Sequence, residues 1–317
     1  MADAESRLAR LRLIRSANIG PVTYRHLIAR FGSAEAALEA LPLLAARGGG
    51  RAPVVASADA VRREMARVER LGARYLFLGD RDYPPLLAEL ESAPPALILR
   101  GDLRLTERPM VAMVGARNAS AAACRFARML AHGLAEAGVT VVSGLARGID
   151  TAAHIGSIEG GTLGVIASGI DVVFPPENAE LQERVACEGL LLAEQPPGTE
   201  PLARFFPSRN RIIAGLALGT VVVEAAPKSG SLITARIAVE AGREVMAVPG
   251  SPLDPRAQGC NLLIHVAAVN TKKIPLFSRG SRRCRKRRLL LTRRSGGLPQ
   301  APRTHLRRCG RPRCLPA

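Results

Sequence analysis

The sequence predicts an α/β fold, in which a doubly wound and mainly parallel sheet follows a small all-helical unit. Two observations support this prediction. From residue 109 onward, apolar runs without polar alternation recur between segments of helical periodicity, which is typical of strands buried on both faces of a parallel sheet. Before residue 71, apolar residues recur mainly at helical spacing. We therefore divide the chain into residues 1–70, 71–266 and 267–317.

The N-terminal unit has the pattern of short helices joined by tight turns. Tyr24, Leu27, Ile28 and Phe31 recur at i, i+3, i+4 and i+7, after a turn in which Pro21 is placed to start a helix. The pattern resembles a helix-hairpin-helix or sterile-alpha-motif-like module. Such a hairpin holds a nucleic-acid phosphate in some proteins, whereas a module that only packs or contacts protein gives the same pattern. Both interpretations stay open, and the glycine-rich residues 47–53 are the expected hinge.

The second segment carries the predicted sheet. A helix is expected at 57–71, and a short helix between two proline pairs that begin at Pro84 and Pro94. Strands are expected at 74–78, 96–100, 110–114, 139–142, 162–167, 190–193, 220–223 and 244–248.

The net charge of +18 is concentrated at one end of the chain. Residues 271–317 hold 16 Lys or Arg and no acid, so the remaining residues hold 29 basic and 27 acidic side chains. A nucleic-acid argument from net charge would therefore concern the tail alone. No uncharged run reaches the roughly 18 residues of a membrane span, and the N-terminus lacks the apolar region of a signal peptide. We expect a cytoplasmic protein without a membrane partner.

The residues for several common chemistries are missing from this sequence. Residues 115–120 do not form a GxGxxG fingerprint or a Walker loop, which argues against dinucleotide and ATP chemistry. The six cysteines show no CxxC pairs, so neither a zinc site nor a disulfide framework is expected. His154 follows Asp150 at helical spacing and is interpreted as structural. We expect no cofactor, no metal and no enzymatic activity.

A ligand crevice is expected where the carboxyl ends of the parallel strands meet. Five loops converge there, at 115–120, 143–150, 167–171, 207–211 and 224–235. The last contains Lys228, Ser229, Gly230 and Ser231 directly before a helix, where backbone amides, hydroxyls and an ammonium form a phosphate cradle.

The segment 205–216 is the second candidate anion site. Arg209, Asn210 and Arg211 are expected in a loop that leads into a helix N-terminus, where guanidiniums and amides favour phosphate. The phenyl rings of Phe205 and Phe206 precede them and offer stacking faces for unpaired bases. An ordinary helix cap with solvated arginines is the alternative. Together with the other loops, the segment predicts single-stranded nucleic acid as the ligand.

Seven motifs in fixed order make the chain similar to the DNA-processing protein A family, also called DprA or Smf. The similarity is close from about Asp82 to Asn261, and the motifs, the last of which ends at Ile264, are YPPLL, VGARNAS, SGLARGIDTAAH, GTLGVIASGIDVVFPPEN, EQPPGTEPLARFFPSRNRIIAGL, VVVEAAPKSGSLITARIAVEAGREVMAVPG and GCNLLI. The resemblance implies an extended Rossmann-like fold that binds single-stranded DNA without sequence preference and dimerises. It also implies a role in natural transformation, in which such proteins protect incoming DNA and load the RecA recombinase.

The resemblance also implies a set of DNA-binding residues. By position they are Arg117, Gly144, Arg209, Asn210, Arg211, Lys228, Ser229, Gly230 and Ser231, with Phe206 as a neighbour. The family is regarded as DNA-binding and not catalytic. The alternative is a nucleotide-cleaving Rossmann enzyme of the lysine-decarboxylase-like group, with Glu224 as the catalytic carboxylate, although its PGGxGT signature is absent. Glu224 is otherwise expected to form ion pairs with Lys228 and Arg211.

The chain departs from the family pattern at two places. Gly115, Ala116 and Arg117 replace the usual GSR and keep the arginine. After Ile264 the family continues with a DGA-type segment, whereas this chain becomes rich in arginine and free of acids. The tail is either a basic arm that adds DNA affinity or the disordered product of a reading-frame shift near residue 265. Family members form their dimer contact near Ile264, which leaves dimerisation and RecA loading open for this chain.

Overall fold

A computed structural model describes residues 2–47 and 54–271 of the chain. Its N-terminal part consists of four helices: α1 (Ala2–Arg15), α2 (Pro21–Phe31), α3 (Ala34–Arg47) and α4 (Ala58–Arg70). Pro21 starts α2, and Gly32, at φ 81°, ends it in a conformation that glycine adopts without steric cost. The side chain of Ser57 caps α4 by accepting the Ala60 amide. The predicted all-helical unit is therefore present, and residues 48–53 of the expected hinge lie outside the described residues.

The helical unit is joined to the sheet through α1 and α4. Leu11 of α1 and Val68 of α4 are fully buried in one cluster with Phe77 of the first strand. The Arg10 guanidinium lies 4.6 Å from the Phe77 ring centroid and pairs with Asp80 at 3.0 Å. These contacts combine apolar burial with a cation–π contact. The helices α1 and α4 therefore pack against the β1 edge of the sheet.

The described residues form one eight-stranded sheet, in the order β1-β2-β6-β5-β4-β3-β7-β8. The strands are β1 (Arg74–Phe77), β2 (Ala96–Gly101), β3 (Met110–Gly115), β4 (Thr140–Ser143), β5 (Thr162–Gly169), β6 (Leu190–Gln195), β7 (Gly219–Val223) and β8 (Glu244–Ala247). β2 runs antiparallel to both of its neighbours, β1 and β6, and all other neighbouring pairs, from β6 to β8 in the sheet order, are parallel. The predicted mainly parallel, doubly wound sheet is confirmed.

Helices cover both faces of the sheet. Within the described residues they are α5 (Pro85–Ala88), α6 (Ala121–Glu136), α7 (Ile149–Ser157), α8 (Ala179–Glu188), α9 (Phe205–Leu216), α10 (Gly230–Glu240) and α11 (Gln258–Thr271). Met113 of β3 is buried against α6 and α7, whereas Ala112 and Val114 belong to the core under α9 and α10. Alternate residues of one strand thus serve opposite faces, as the two-residue period of a strand requires.

The connections reverse direction between the neighbouring strands β3 and β7. The chain after β3 passes to α6 on one face, and the chain after β7 passes to α10 on the other. The two turns therefore separate at the carboxyl edge of the sheet and leave a crevice between them. This is the position at which ligands bind in open α/β sheets.

Two sequence-based boundaries differ from the structure. The helix α9 begins at Phe205, so Arg209, Asn210 and Arg211 lie inside it and not in a loop before it. The sequence analysis places Pro207 in a loop. A proline is nevertheless tolerated in the first turn of a helix, because the amides there have no partners within the helix. The helix α11 runs to Thr271, beyond the boundary placed at 266, and residues 272–317 of the predicted tail lie outside the described residues. Across the residues described, no helix has the length and apolarity that crossing a membrane requires.

Candidate nucleic-acid interface

The crevice at the carboxyl edge is a cleft of about 630 Å³. It is lined by the turn after β3, by the first two turns of α9 and by the turn after β7. Eight of the predicted site residues lie along it: Arg117, Phe206, Arg209, Asn210, Lys228, Ser229, Gly230 and Ser231. Gly144 lines an adjoining cavity, and Arg211 lines neither. The fold thus assembles most of the predicted site from three separate segments.

The turn between β7 and α10 presents a helix N-terminus to the cleft. The Ser229 side chain caps α10 by accepting the Ser231 amide, and the two hydroxyls are 2.7 Å apart. Lys228 and Gly230 are exposed, and Lys228 has no ion-pair partner among the residues described. The Gly230 amide at the start of α10, two hydroxyls and an ammonium converge here, an arrangement that favours an anion.

The turn between β3 and α6 presents Arg117 to the same cleft. Its side chain is exposed, lies 5.3 Å from the centroid of the Phe206 ring, and forms no ion pair within residues 2–47 and 54–271. Gly115 holds the turn close to β7, because a Cβ atom at this position would lie 1.9 Å from the Val223 carbonyl oxygen. The guanidinium of Arg117 is therefore held at the rim by a fixed backbone, next to an aromatic face.

Glu224 fixes the relative position of these two turns. It is buried, has a positive φ of 54°, and accepts the Ser120 amide at 2.7 Å. Its carboxylate pairs with Arg256 at 3.3 Å, so the expected ion pairs with Lys228 and Arg211 are wrong. Both oxygens of this carboxylate are engaged by the protein. These contacts give Glu224 a structural role between the turns after β3 and β7.

Arg256 is a cleft residue that the sequence analysis missed. It lines the cleft from the segment after β8 and pairs with Asp254 at 3.0 Å as well as with Glu224. The Asp-Pro-Arg sequence around it carries no motif, and its partner Glu224 lies far away in sequence. Only the three-dimensional pairing reveals this residue.

Arg209 forms part of the cleft floor. It is 6% exposed and donates from a terminal nitrogen to the Val165 carbonyl at 3.1 Å. Burial lowers the pKa of Arg209 to about 10, so the side chain stays charged at neutral pH. Gly144 accommodates it, because a Cβ atom there would lie 1.4 Å from that terminal nitrogen. Gly144 is therefore required by the packing of Arg209.

Asp150, which was not among the predicted site residues, balances this buried charge. Its carboxylate accepts the amides of Gly144 and Ala146 at 3.1 and 3.4 Å. Burial raises the pKa of Asp150, and the positive charge of Arg209 opposes that effect. The pair holds the turn after β4 under the cleft.

His154 lies behind Asp150 and has the structural role that was predicted. It is fully buried, and its Nδ1 lies 2.7 Å from the Thr162 hydroxyl. Burial, together with the nearby charge of Arg209, lowers the pKa of His154 to about 3. The imidazole is therefore neutral at physiological pH.

Arg211 lies on a different side of α9. Residues two positions apart in a helix are rotated by about 200°, so Arg209 and Arg211 diverge. Arg211 pairs with Glu194 of β6, and the two side chains are 13% and 17% exposed. Burial raises the pKa of Glu194, and Arg211 opposes that shift. This contact gives Arg211 a packing role, and its predicted contact with DNA stays a prediction.

The aromatic part of the site also differs from the sequence expectation. Phe206 lines the cleft and makes an edge-to-face contact with Phe174, with ring centroids 5.8 Å apart. Phe205 lines neither cavity, and the Arg204 guanidinium lies 4.8 Å from the centroid of its ring. One of the two predicted phenyl rings therefore faces the cleft, and Phe174 is an aromatic neighbour that the sequence analysis missed.

Three of the six cysteines lie within the described residues. Cys124, Cys187 and Cys260 are free thiols. In that part of the chain, no three His, Cys, Asp or Glu side chains are grouped as metal ligands.

The fold and the cleft define a Rossmann-like protein with exposed cations at the carboxyl edge of its sheet, and comparison with known proteins gives its family. The family model described as DNA recombination-mediator protein A matches residues 74–277, and the model described as a DprA-like N-terminal HHH domain matches residues 4–66. The chain belongs to the DNA recombination-mediator protein A family.

Individual relatives agree with this assignment. DNA processing protein DprA of Streptococcus pneumoniae is 46% identical over 191 residues, which cover 60% of this chain and 67% of that protein. Protein Smf of Synechocystis sp. is 44% identical over 201 residues, or 62% of this chain. The match spans only 50% of the length of that Smf protein.

Two solved structures share the fold. The X-ray structure of S. pneumoniae DprA has a TM-score of 0.63 and 40% identity, and the match covers 66% of this chain and 73% of that one. DNA processing protein A of Helicobacter pylori has a TM-score of 0.57 and 27% identity, with 62% of this chain and 88% of that one covered. The H. pylori structure describes a single-stranded DNA binding mode of that protein.

Proposed function

We propose that this protein is a single-stranded DNA-binding recombination mediator that acts in natural transformation. It binds incoming DNA in the cytoplasm, protects it and loads the RecA recombinase, and it has no catalytic role. One observation carries the proposal. The exposed cations Arg117 and Lys228, which have no ion-pair partners among the described residues, line one cleft from two different turns, and the Arg117 guanidinium lies 5.3 Å from the Phe206 ring centroid.

The cations of the turns after β3 and β7 would contact the phosphate backbone of the DNA. Lys228 and the Gly230 amide at the start of α10 supply one anion site, and Arg117 in the turn after β3 supplies another. Binding of this kind releases counterions and is independent of sequence. Because the body outside the tail is nearly neutral, the placement of these two charges matters more than their number.

The Phe206 ring in the cleft would contact the unpaired bases of the strand. Phe206 is half-buried in the cleft wall, and the guanidiniums of Arg117 and Arg209 lie 5.3 and 5.8 Å from its centroid. Bases of a duplex are stacked inside the helix and cannot reach such a ring. The combination of phosphate sites and a stacking face therefore favours single strands.

RecA loading and dimerisation rest on family membership. The α11 helix carries Leu262 and Ile264 at 55% and 39% exposure, near the segment that resembles the family's dimer contact. We expect a dimer in sedimentation equilibrium and faster RecA filament assembly on DNA coated with single-strand binding protein. A monomeric chain that leaves filament assembly unchanged would contradict dimerisation and RecA loading, whereas the proposal of DNA binding would stand.

The test of DNA binding is a fluorescence-anisotropy titration of the full chain with labelled oligo-dT at low salt. We expect binding by the unaltered protein and a clear loss in the double variant Arg117→Ala/Lys228→Ala. The matched control is Arg63→Ala, which removes an exposed arginine of α4 that lines neither cavity. Equal affinity of the double variant and the control would show that DNA does not bind in this cleft.

A further inference from the structure

One arginine of the helical unit contacts two loops of the sheet domain. Arg67 lies in the last turn of α4 and donates to the Asp171 carboxylate at 2.6 Å. Asp171 belongs to the loop after β5, and its other carboxylate oxygen accepts the Gly198 amide of the loop after β6 at 2.7 Å. A Cβ atom at Gly198 would lie 3.1 Å from both terminal nitrogens of Arg67, so the guanidinium rests against that loop as well. We call Arg67, Asp171 and Gly198 the clasp.

The same two loops reach the cleft. Phe174 of the loop after β5 and Pro201 of the loop after β6 line the cavity that adjoins the cleft. Phe174 lies three residues after Asp171, and its ring meets the Phe206 ring edge-to-face with centroids 5.8 Å apart. Phe206 lines the cleft itself. A series of contacts therefore connects α4, through the loop after β5, with the cleft.

The clasp is suited to holding these loops in place. The Asp171 side chain is 13% exposed and the Arg67 side chain is 49% exposed. Val68, the residue after Arg67, is fully buried, so α4 is a fixed support. The backbone links the two loops through the Gly169 amide, which donates to the Thr199 carbonyl at 2.9 Å. Because hydrogen bonds to a charged group are stronger than neutral ones, the clasp adds more order to the loops than this single link.

A direct contact of Arg67 with DNA is the competing interpretation. Arg67 lines neither the cleft nor the adjoining cavity, and Asp171 matches its charge. The two interpretations differ most for Asp171. A carboxylate near bound phosphates repels them, so its removal strengthens binding if it acts through its charge alone. If Asp171 holds the loops, its removal weakens binding, because DNA must then order a loop that was ordered before.

We propose that Arg67 and Asp171 are positioning residues, through which the helical unit holds the loops after β5 and β6 in the conformation that binds single-stranded DNA. The inference rests on the proposed function, because it requires DNA in the cleft. It gives the helical unit a part in DNA binding that needs no DNA contact of its own.

The experiment is a double-mutant cycle on the full chain, measured by anisotropy with labelled oligo-dT and by urea denaturation. Asp171→Asn removes the charge and keeps an oxygen that accepts the Gly198 amide. Arg67→Met removes the guanidinium and keeps an aliphatic chain, whereas Arg67→Lys keeps the positive charge. The matched control is Arg62→Met, which removes an exposed arginine of the same helix that pairs with Asp59 at 3.1 Å.

We expect Arg67→Met and Asp171→Asn each to weaken oligo-dT binding about five-fold, which is within the range for residues that act without touching the ligand. The double variant should bind no more weakly than the weaker single variant, because both changes break the same contact. Arg67→Lys should recover most of the affinity, and Arg62→Met should bind as the unaltered protein does. The slope of log K against log salt should stay the same in every variant, since no phosphate contact is lost.

Tighter binding by Asp171→Asn would overturn this role, because the loss of an acid alone predicts it. Unchanged affinity of both single variants, with or without a loss of stability, would also overturn it, and so would losses that multiply in the double variant. In each of these cases the proposed function stands. Failure of the unaltered protein to bind oligo-dT would instead overturn the proposed function and this inference with it.

Discussion

Two groups of cations lie in the segments that form the cleft, and the protein holds them in opposite ways. In α9, Arg209 is buried beside Asp150, and Arg211 pairs with Glu194. In the turns after β3 and β7, Arg117 and Lys228 are exposed and have no ion-pair partner among the described residues. The arginines of α9 are matched by acids and stabilise the fold, whereas the cations of the turns are available to a ligand.

This difference shows that the type of a residue does not fix its role. An arginine whose charge is matched by a buried acid contributes little to the binding of an added phosphate. A single exposed lysine at a helix N-terminus contributes more, because no acid competes with the ligand. Variants of the two groups should therefore separate stability from DNA affinity.

The largest effect is expected for Arg209→Met. The change leaves the Asp150 carboxylate buried without its balancing charge, which costs about 3–5 kcal/mol of unfolding free energy. Urea denaturation followed by circular dichroism measures the loss. The double variant Arg209→Met/Asp150→Asn removes both charges and should recover part of it. If the single and double variants lose the same stability, Asp150 does not balance Arg209.

The second effect is the dependence of the free energy of unfolding on pH. His154 has a folded pKa of about 3, below its ordinary value of 6.5, so the unfolded state takes up the proton first as pH falls. Stability is therefore fully present above pH 6.5 and falls by about 1.4 kcal/mol for each pH unit between 6.5 and 3. We expect His154→Gln to be less sensitive to pH in that window. Parallel curves of unfolding free energy against pH for the two proteins would contradict a buried neutral imidazole.

A smaller loss of stability is expected for Arg211→Met. Glu194 would lose its charged partner in a mostly buried position, at a cost of about 2 kcal/mol. Affinity for oligo-dT and its salt dependence should stay as in the unaltered chain. A variant with unchanged stability and weaker binding would return Arg211 to the DNA site that the sequence predicted.

The smallest effect on stability is expected for Lys228→Ala. The side chain is exposed and unpaired within the described residues, so the free energy of unfolding should change by less than about 0.5 kcal/mol. Affinity should fall for every sequence tested, because a phosphate contact carries no sequence information. A loss that depends on the base sequence would point to a different contact.

The sequence predicted the fold correctly, and eight of the ten predicted DNA-binding residues line one cleft. Buried strands such as β3 and β5 carry continuous apolar runs, and their ends locate the turns that form the crevice. Lys228, Ser229 and Gly230 were identified because a helix N-terminus has a local signature. Features that local sequence encodes were therefore accessible before the structure.

The remaining errors concern partners that are distant in sequence. Glu224 was assigned to Lys228 and Arg211, but it pairs with Arg256 from beyond β8. The start of α9 was placed too late because Pro207 was interpreted as part of a loop, and this error brought Arg211 into the cleft. A charge pattern does not show which of several acids a given arginine meets in the fold.

The reading-frame hypothesis stays a prediction. The family model matches to residue 277 and α11 continues to Thr271, both beyond the expected break near residue 265. Translation of the other two frames of the nucleotide sequence around that codon tests the hypothesis directly. A DGA-type segment in another frame would support the shift, and its absence would favour a basic arm.

The central claim is that the exposed cations of the two turns hold single-stranded DNA, and its most direct test is the salt dependence of binding. Anisotropy titrations of the full chain with oligo-dT at several salt concentrations give the slope of log K against log salt. Each lost phosphate contact on a single strand reduces the magnitude of this slope by about 0.7. We predict this reduction for Arg117→Ala and for Lys228→Ala, and an unchanged slope for Arg211→Met. A slope that both alanine variants leave unchanged would contradict the claim.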